Sequence, residues 1–364
     1  MIKVLAILST GWRAGLALTA LSGLFFTSTP VRAEDASIAT ALSEEVRSVF
    51  ERVKESVVKI EASDKNGQLI GTGFFIDPNG TLLTSYSVGG ESINIVVSYG
   101  EKKCPAKRLT ADPRSGIAIL QLEKGRTALP FLPLGKSREL KVASPVIMVA
   151  YPMDLPKAPN FGMIAGFERK YLNRYFATTH LRANVPVQRG EGGAPLLNMK
   201  GEVVGVVISS LEGGASCFAV PSEAINKIHR DYLRFGAPRP GRLGLRVHPM
   251  EENASSGTIV SIETVEEGGP AHEAGLQPND ILQKIGPYEI SAPEDVLNAV
   301  FFLTAGDPVD VTVLRDGKSH TVSLEPVERN ALSIPKKGRL SGKIIMPMES
   351  REISLRPVTA DETP

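Results

Sequence analysis

Residues 187–198 read VQRGEGGAPLLN, an Arg-Gly opening, a cluster of small residues and then an apolar run. This is the shape of a loop that serves a nucleophile. Acyl transfer by a hydroxyl needs a reactive oxygen, a base to take its proton and a carboxylate to orient the base. Yet the loop holds no serine, cysteine or threonine. Glu191 is the one ionisable group at its glycine-rich centre, and as a surface-loop carboxylate it is expected to be solvated rather than catalytic. The nearest downstream hydroxyls, Ser209 and Ser210, fall at the end of a strand expected to be buried. Imidazole is the usual base, and the five histidines are His180, His229, His248, His272 and His320, none of them earlier than residue 180. No glycine-rich phosphate loop with a following lysine occurs, and no two histidines or cysteines have metal-ligand spacing. No cofactor and no metal are therefore expected.

The elements that must position this loop follow from composition and pattern. A chain of 364 residues, 42% apolar and 22% charged, has room for about two globular domains plus tails. Its 41 basic and 40 acidic side chains nearly cancel, which gives no reason to expect a nucleic-acid partner. The short basic stretches EKKCPAKR (101–108) and PKKGRLSGK (335–343) read as solvated. With only Cys104 and Cys217 there is no disulfide framework, and the core must carry stability. Two free, partly buried thiols are the expectation, with a bond between Cys104 and Cys217 as the alternative.

Lys3 and Arg13 precede the apolar stretch AGLALTALSGLFF, and Val31-Arg32-Ala33 ends in small residues. The segment reads as a cleaved export signal, with an uncleaved anchor as the alternative. The mature chain would then face a periplasmic or extracellular space, with no membrane span. Leu42, Val46, Val49, Phe50 and Val53 recur at helical spacing. Short β-branched runs follow, SVVKIEA, TGFFID, TLLTS, INIVVSY, IAILQLE, PVIMVA and EVVGVVISS, broken by Gly, Pro, Asn and Asp. Such a series argues for closed antiparallel β architecture. A helix over 222–233 closes this region, and FGAPRPGR (235–242) reads as a linker. A second unit follows: GRLGLRV, SGTIVSI, a helix PEDVLNAVFFL with Ser291 and Glu294 as a capping box, and a hairpin turning at Asp316-Gly317.

Taken together, GTGFFIDPNGTLLTSYSV (71–88), ADPRSGIAILQLE (111–123), MVAYPMDLP (148–156), RGEGGAPLLN (189–198) and FAVPSEAI (218–225) resemble the high-temperature-requirement (DegP-like) serine proteases. The resemblance covers roughly residues 40 to 328. It implies a mainly β protein: a chymotrypsin-like double β-barrel followed by one PDZ domain. The boundaries expected are export signal 1–33, helix 34–56, double barrel 57–234, linker 235–240, PDZ domain 241–328 and flexible tail 329–364. It further implies that the catalytic histidine, aspartate and serine positions are Ser87, Gly116 and Gly192. Two of these have no side chain, and a serine hydroxyl is no base near neutral pH. The triad is thus expected to be degenerate. Gly190, Gly192 and Gly193 would form a vestigial oxyanion loop, although Ala194 and Pro195 depart from the family pattern, as does Asn184. Whether the cleft still takes extended peptides or is only a filled core stays open.

RLGLRV (242–247) resembles the carboxylate-binding loop and first groove strand of a PDZ domain. The amides of Leu243, Gly244 and Leu245 would converge on a C-terminal carboxylate. The peptide would pair along Leu245 to His248 past Val247, its last side chain facing Val296 and Val300. The expected function is that of an exported pseudoprotease in protein quality control. It would bind C-terminal or unfolded segments of envelope proteins as adaptor, holdase or regulator. Homo-oligomers, trimers by family analogy, are a further expectation. The alternatives are an active serine endopeptidase with a non-standard catalytic set and a structural subunit with an occluded groove.

Overall fold

The computed structural model describes residues 33–123, 128–172, 174–251 and 258–328. The expected signal up to residue 32 and the tail from 329 lie outside the described residues. Helix α1 spans Ala33–Val53. Its turns up to Leu42 form one unit, in which Ile38 and Leu42 are exposed. The body begins at Ser43. There the three-and-four spacing of Val46, Val49, Phe50 and Val53 lays an apolar stripe on the core. Among the described residues no helix is long and apolar enough to cross a membrane.

Six strands form the first barrel: β1 (Val57–Asp64), β2 (Gly67–Phe75), β3 (Thr81–Ser85), β4 (Ile93–Tyr99), β5 (Lys102–Asp112) and β6 (Ile117–Leu122). They close in the order β1-β2-β3-β6-β5-β4, every neighbour antiparallel. A one-turn helix, α2 (Tyr86–Gly89), follows β3. The second barrel repeats the plan with β7 (Pro145–Ala150), β8 (Ala158–Tyr171), β9 (Arg174–Ala183), β10 (Pro195–Leu197), β11 (Val203–Leu211) and β12 (Ser216–Pro221). Its closed order is β10-β11-β12-β9-β8-β7. Closure leaves neither sheet an open edge. Alternate residues fill each barrel, and one cluster that includes Phe74, Ile117, Ile147 and Val206 spans both.

Helix α3 (Ser222–Phe235) ends on Gly236, whose left-handed φ of 75° lets its N–H reach the Tyr232 carbonyl at 2.7 Å. The following stretch, read as a linker, is held down. The Arg239 amide donates to Asp231 at 3.1 Å, and the Arg239 carbonyl accepts from Ala305 N.

The C-terminal domain has β13 (Gly241–Arg242), β14 (Leu245–Glu251), β15 (Thr258–Val265), α4 (Pro270–Glu273), β16 (Ile281–Ile285), β17 (Tyr288–Glu289), α5 (Pro293–Phe301), β18 (Val309–Arg315), β19 (Lys318–Leu324) and β20 (Val327–Glu328). The sheet runs β14-β15-β16-β18-β19, so β14 is an edge strand. Asp316 and Gly317 both have positive φ (50° and 73°), the two-residue geometry that suits the twist of β18 and β19.

One expectation on α5 is corrected. Pro293 takes the first helical position, so the third is Asp295, not Glu294. The Asp295 carboxylate accepts the Ser291 and Ala292 amides and the Ser291 hydroxyl at 2.8–2.9 Å. Glu294 instead pairs with Lys170 at 3.0 Å. The outer face of α5 lies against β8 and β9. Arg169 pairs with Asp295, and Asn298 Oδ1 accepts from the Thr178 hydroxyl at 2.8 Å and the Thr179 amide at 2.9 Å. Phe301, 3% exposed, inserts into the barrel core beneath the Arg114 guanidinium. Burial of such a ring contributes about 1.5–3 kcal/mol, so the domain is docked rather than tethered.

Candidate functional site

Three chain segments meet in the cleft between the barrels. Tyr86, at the start of α2, donates its amide to the Gly116 carbonyl at 2.6 Å, which sets Ser87 beside the turn that precedes β6. The loop before β10 reaches the same place, since a Cβ built on Gly192 would lie 3.4 Å from Ser85 Oγ and 3.9 Å from Ser87 Oγ. Ser87, Gly116 and Gly192 therefore converge. The two serine hydroxyls bond each other at 2.9 Å. Gly116 has a φ of 79°, a conformation any other residue adopts only with strain.

The loop is anchored by a residue that the sequence reading passed over. Thr72 on β2 is fully buried. Its amide donates to the Gly192 carbonyl at 2.9 Å and its hydroxyl to the Gly190 carbonyl at 2.8 Å. That hydroxyl also accepts the Tyr151 amide at 3.1 Å, while the Thr72 carbonyl accepts the Thr84 hydroxyl at 2.8 Å. A hydroxyl set among glycines and phenylalanines in GTGFF was the available signal. The carbonyls of Gly190 and Gly192 are taken up by Thr72, and the Gly193 amide, expected in an oxyanion loop, instead donates to the Val207 carbonyl at 2.8 Å, while the Glu191 and Ala194 amides bond within the turn. Gly190 and Gly193 hold it with φ of 92° and 89°.

Two expectations are overturned here. Glu191 is completely buried, not solvated. The turn points its carboxylate inward, where it accepts the Gln188 amide at 2.6 Å and the Asn160 side-chain amide at 3.2 Å. Burial holds its pKa above the usual carboxylate range. Ser209 and Ser210 are half-buried and exposed, because β11 shifts register after Val207 and its end leaves the barrel interior.

His180 is enclosed in the second barrel. It stacks on Phe176 with ring centroids 4.1 Å apart, and its Nδ1 meets the Thr178 carbonyl at 2.7 Å. Burial pushes its pKa down to about 4. Cys104 and Cys217 are both free thiols, and burial pushes Cys217 up to about 12. Asn184, Ala194 and Pro195 do not enter the cleft chemistry. Asn184 is exposed and accepts from Ser216, Ala194 is buried, and Pro195 opens β10. Among the described residues no group of three or more His, Cys, Asp or Glu is placed to hold a metal ion.

The second site lies between β14 and α5. Leu243, Leu245, Val247, Val296 and Val300 belong to one apolar cluster. Leu243 and Val296 are buried, while Leu245, Val247 and Val300 are half-buried, facing the groove. Gly244, with φ 75°, turns the preceding loop. The Leu243 and Gly244 carbonyls point into the domain, accepting Ala271 N at 2.9 Å and Glu266 N at 2.8 Å. The free edge of β14 runs on from this loop, with Arg246 exposed along it. Arg242 pairs with Glu266 at 2.6 Å beside the loop mouth.

Residues 71–206 match the trypsin-like peptidase domain, and residues 241–325 match the PDZ domain. Together these matches support the high-temperature-requirement (DegP-like) family. A probable periplasmic serine endoprotease DegP-like of Pseudomonas fluorescens is 29% identical over 292 residues, covering 75% of this chain and 60% of the relative. Its counterpart in Ectopseudomonas mendocina is 30% identical over 267 residues, covering 70% of this chain and 55% of the relative. The DegP-like chain described here thus spans less than two thirds of these relatives' length. Among solved structures, the HtrA-type protease AlgW with tripeptide superposes with a TM-score of 0.67 at 20% identity, over 78% of this chain and 97% of that one. The serine endoprotease from Yersinia pestis gives 0.59 at 21% identity, over 78% and 98%. Both share the DegP-like fold of two barrels and a PDZ domain.

Proposed function

We propose that this DegP-like chain is an exported, non-catalytic protease homologue. It binds C-terminal or extended segments of envelope proteins through the PDZ groove, as adaptor, holdase or regulator of protein quality control. Its proposed compartment is the periplasm, in keeping with the names of its relatives, and its partners are unfolded or C-terminal peptide segments. Homo-oligomers are proposed by analogy with the family. The observation that carries this reading is the chemistry of the converging positions. Where the family's triad maps, the side chains are one hydroxymethyl and two hydrogens. The first barrel holds no imidazole, and His180 of the second is buried, stacked on Phe176 with its Nδ1 against the Thr178 carbonyl. The shared apolar cluster of Leu243, Leu245, Val247, Val296 and Val300, with Gly244 turning the loop beside it, supports a groove for a peptide terminus.

The relatives' names favour a second reading, a serine endopeptidase with an unusual catalytic set. It requires a base within reach of Ser85 or Ser87, the hydroxyls nearest Gly192. The binding reading is tested by titrating the chain, freed of its first 33 residues, against a fluorescent peptide ending in valine. Saturable binding is expected. Val300→Asp and amidation of the peptide terminus should each weaken it at least about tenfold, since one buries a charge and the other removes the carboxylate. Binding that ignores both changes contradicts the assignment.

A further inference from the structure

Glu191 is a fully buried carboxyl group that, among the described residues, has no counter-ion. Its two side-chain bonds come from neutral donors, the Gln188 amide at 2.6 Å and the Asn160 side chain at 3.2 Å. The strands around the loop present Thr72 from β2, Asn160 from β8 and Cys217 from β12. Cys217 stays a thiol, its pKa pushed up to about 12 chiefly by burial. The segment against Gly190 carries Tyr151 and Asp154, and Asp154 is turned to Lys59. Arg189, the neighbouring cation in the chain, is exposed. An ionised carboxylate has about four acceptor positions, and here two of them are filled. A buried charge left without a counter-ion is far costlier than the neutral acid.

The backbone on either side of Glu191 supplies a hinge. Gly190 and Gly193 stand at φ of 92° and 89°, and glycine passes between left-handed and ordinary conformations without a Cβ clash. The turn is tied to β2 by Thr72, whose amide and hydroxyl hold the Gly192 and Gly190 carbonyls at 2.9 and 2.8 Å. It is tied to β11 by Gly193 N to the Val207 carbonyl at 2.8 Å and Val207 N to the Ala194 carbonyl at 3.0 Å. Water reaches an ionised Glu191 only if the turn swings outward on its glycines. That movement breaks these bonds and uncovers Cys217, which shares an apolar cluster with Ala194 and Val207.

We propose that Glu191 is a proton-controlled latch on the cleft loop, seated while its carboxyl is neutral and released outward when it ionises. The sign follows from burial. The closed form holds the proton more tightly than the open form. Opening is therefore least below the ordinary glutamate value, grows as pH climbs from there to the raised value, and levels off above it. This inference concerns the cleft between the barrels and is independent of the peptide-binding reading of the PDZ groove.

The test is hydrogen exchange of the chain freed of its first 33 residues, read by mass spectrometry between about pH 4 and about pH 8, each rate divided by the intrinsic rate at that pH. Segments containing the amides of Thr72, Gly193 and Val207 should lose protection as pH rises, by at most about tenfold per pH unit, since one proton is involved. Strand β6, Ile117–Leu122, takes no bond from the turn and should not follow. Glu191→Gln, uncharged throughout, should hold the protection constant. Alkylation of Cys217 by N-ethylmaleimide should rise over the same interval relative to that variant. The comparison of the turn with β6 in the unaltered chain stands without the variant. Turn protection that is flat with pH, a loss shared equally by β6, or a pH-dependent loss that survives Glu191→Gln overturns the proposal.

Discussion

Replacing Gly192 with serine and Gly193 with alanine, in separate variants, is expected to give opposite results. Gly192 is outside the left-handed region, and a Cβ there meets only Ser85 Oγ at 3.4 Å and Ser87 Oγ at 3.9 Å, ordinary contacts. Gly192→Ser should change stability by no more than about 0.5 kcal/mol. Gly193 has a φ of 89°, and a Cβ there overlaps the Thr72 carbonyl, the Thr84 hydroxyl and the Ser85 amide. The left-handed conformation costs a non-glycine residue about 1–2 kcal/mol. Relief of the overlap needs a loop shift that breaks the bond from Gly193 N to the Val207 carbonyl, 2.8 Å long. Leaving such a buried group unpaired adds about 1–3 kcal/mol. Gly193→Ala should therefore lose about 2–5 kcal/mol in all. Urea unfolding followed by far-UV circular dichroism measures both, since the single tryptophan, Trp12, lies in the expected export segment. A Gly193→Ala variant within about 1 kcal/mol of the parent would refute the loop geometry, as would a Gly192→Ser loss above about 2 kcal/mol.

Glu191 supplies a pH test. Its folded pKa is raised by burial, so the folded state holds its proton more tightly than the unfolded chain. Stability associated with this group is full below the ordinary glutamate value and falls as pH rises through the raised one. Glu191→Gln should flatten that fall, and its advantage in unfolding free energy should grow from pH 4 to pH 7; an advantage that shrinks contradicts the burial argument. Asp231 is 1% exposed, pairs with the buried Lys227, and also accepts the Thr304 hydroxyl and the Arg239 amide. Asp231→Ala leaves Lys227 buried without a counter-ion and should cost about 3–5 kcal/mol in urea unfolding. The double change Lys227→Met, Asp231→Leu should recover most of it, and a double as unstable as the single would point to another cause. Glu266→Gln frees Arg242 at the mouth of the carboxylate loop and should tighten binding of a peptide C-terminus. Because the pair is half-exposed, the gain should be at most about fivefold, and weaker binding would reverse the sign of the reasoning.

The barrels were legible because their strands are rich in β-branched residues bounded by turn formers, and the second domain because its loop, helix and hairpin keep their order. Strand β5 was hidden by its lysines and arginines, which stand outward on a barrel. The β8–β9 hairpin, which carries the Asn298 contacts, was hidden by glycine, proline and polar residues. The cleft positions could be placed from their flanks, but their convergence depends on barrel closure between segments far apart in sequence. Glu191 shows the limit most clearly. A glutamate between glycines reads as exposed, and only the turn around Thr72 folds it inward. Likewise Pro293 moves the cap of α5 by one residue, a shift set by helix geometry rather than by residue type.

The most direct test is incubation of the purified chain, freed of its first 33 residues, with an unfolded casein, followed by mass spectrometry of the products. Intact substrate over hours at neutral pH is the expected result. Cleavage that tracks the chain through purification and is abolished by Ser85→Ala or Ser87→Ala would contradict it and establish a catalytic set built on those hydroxyls.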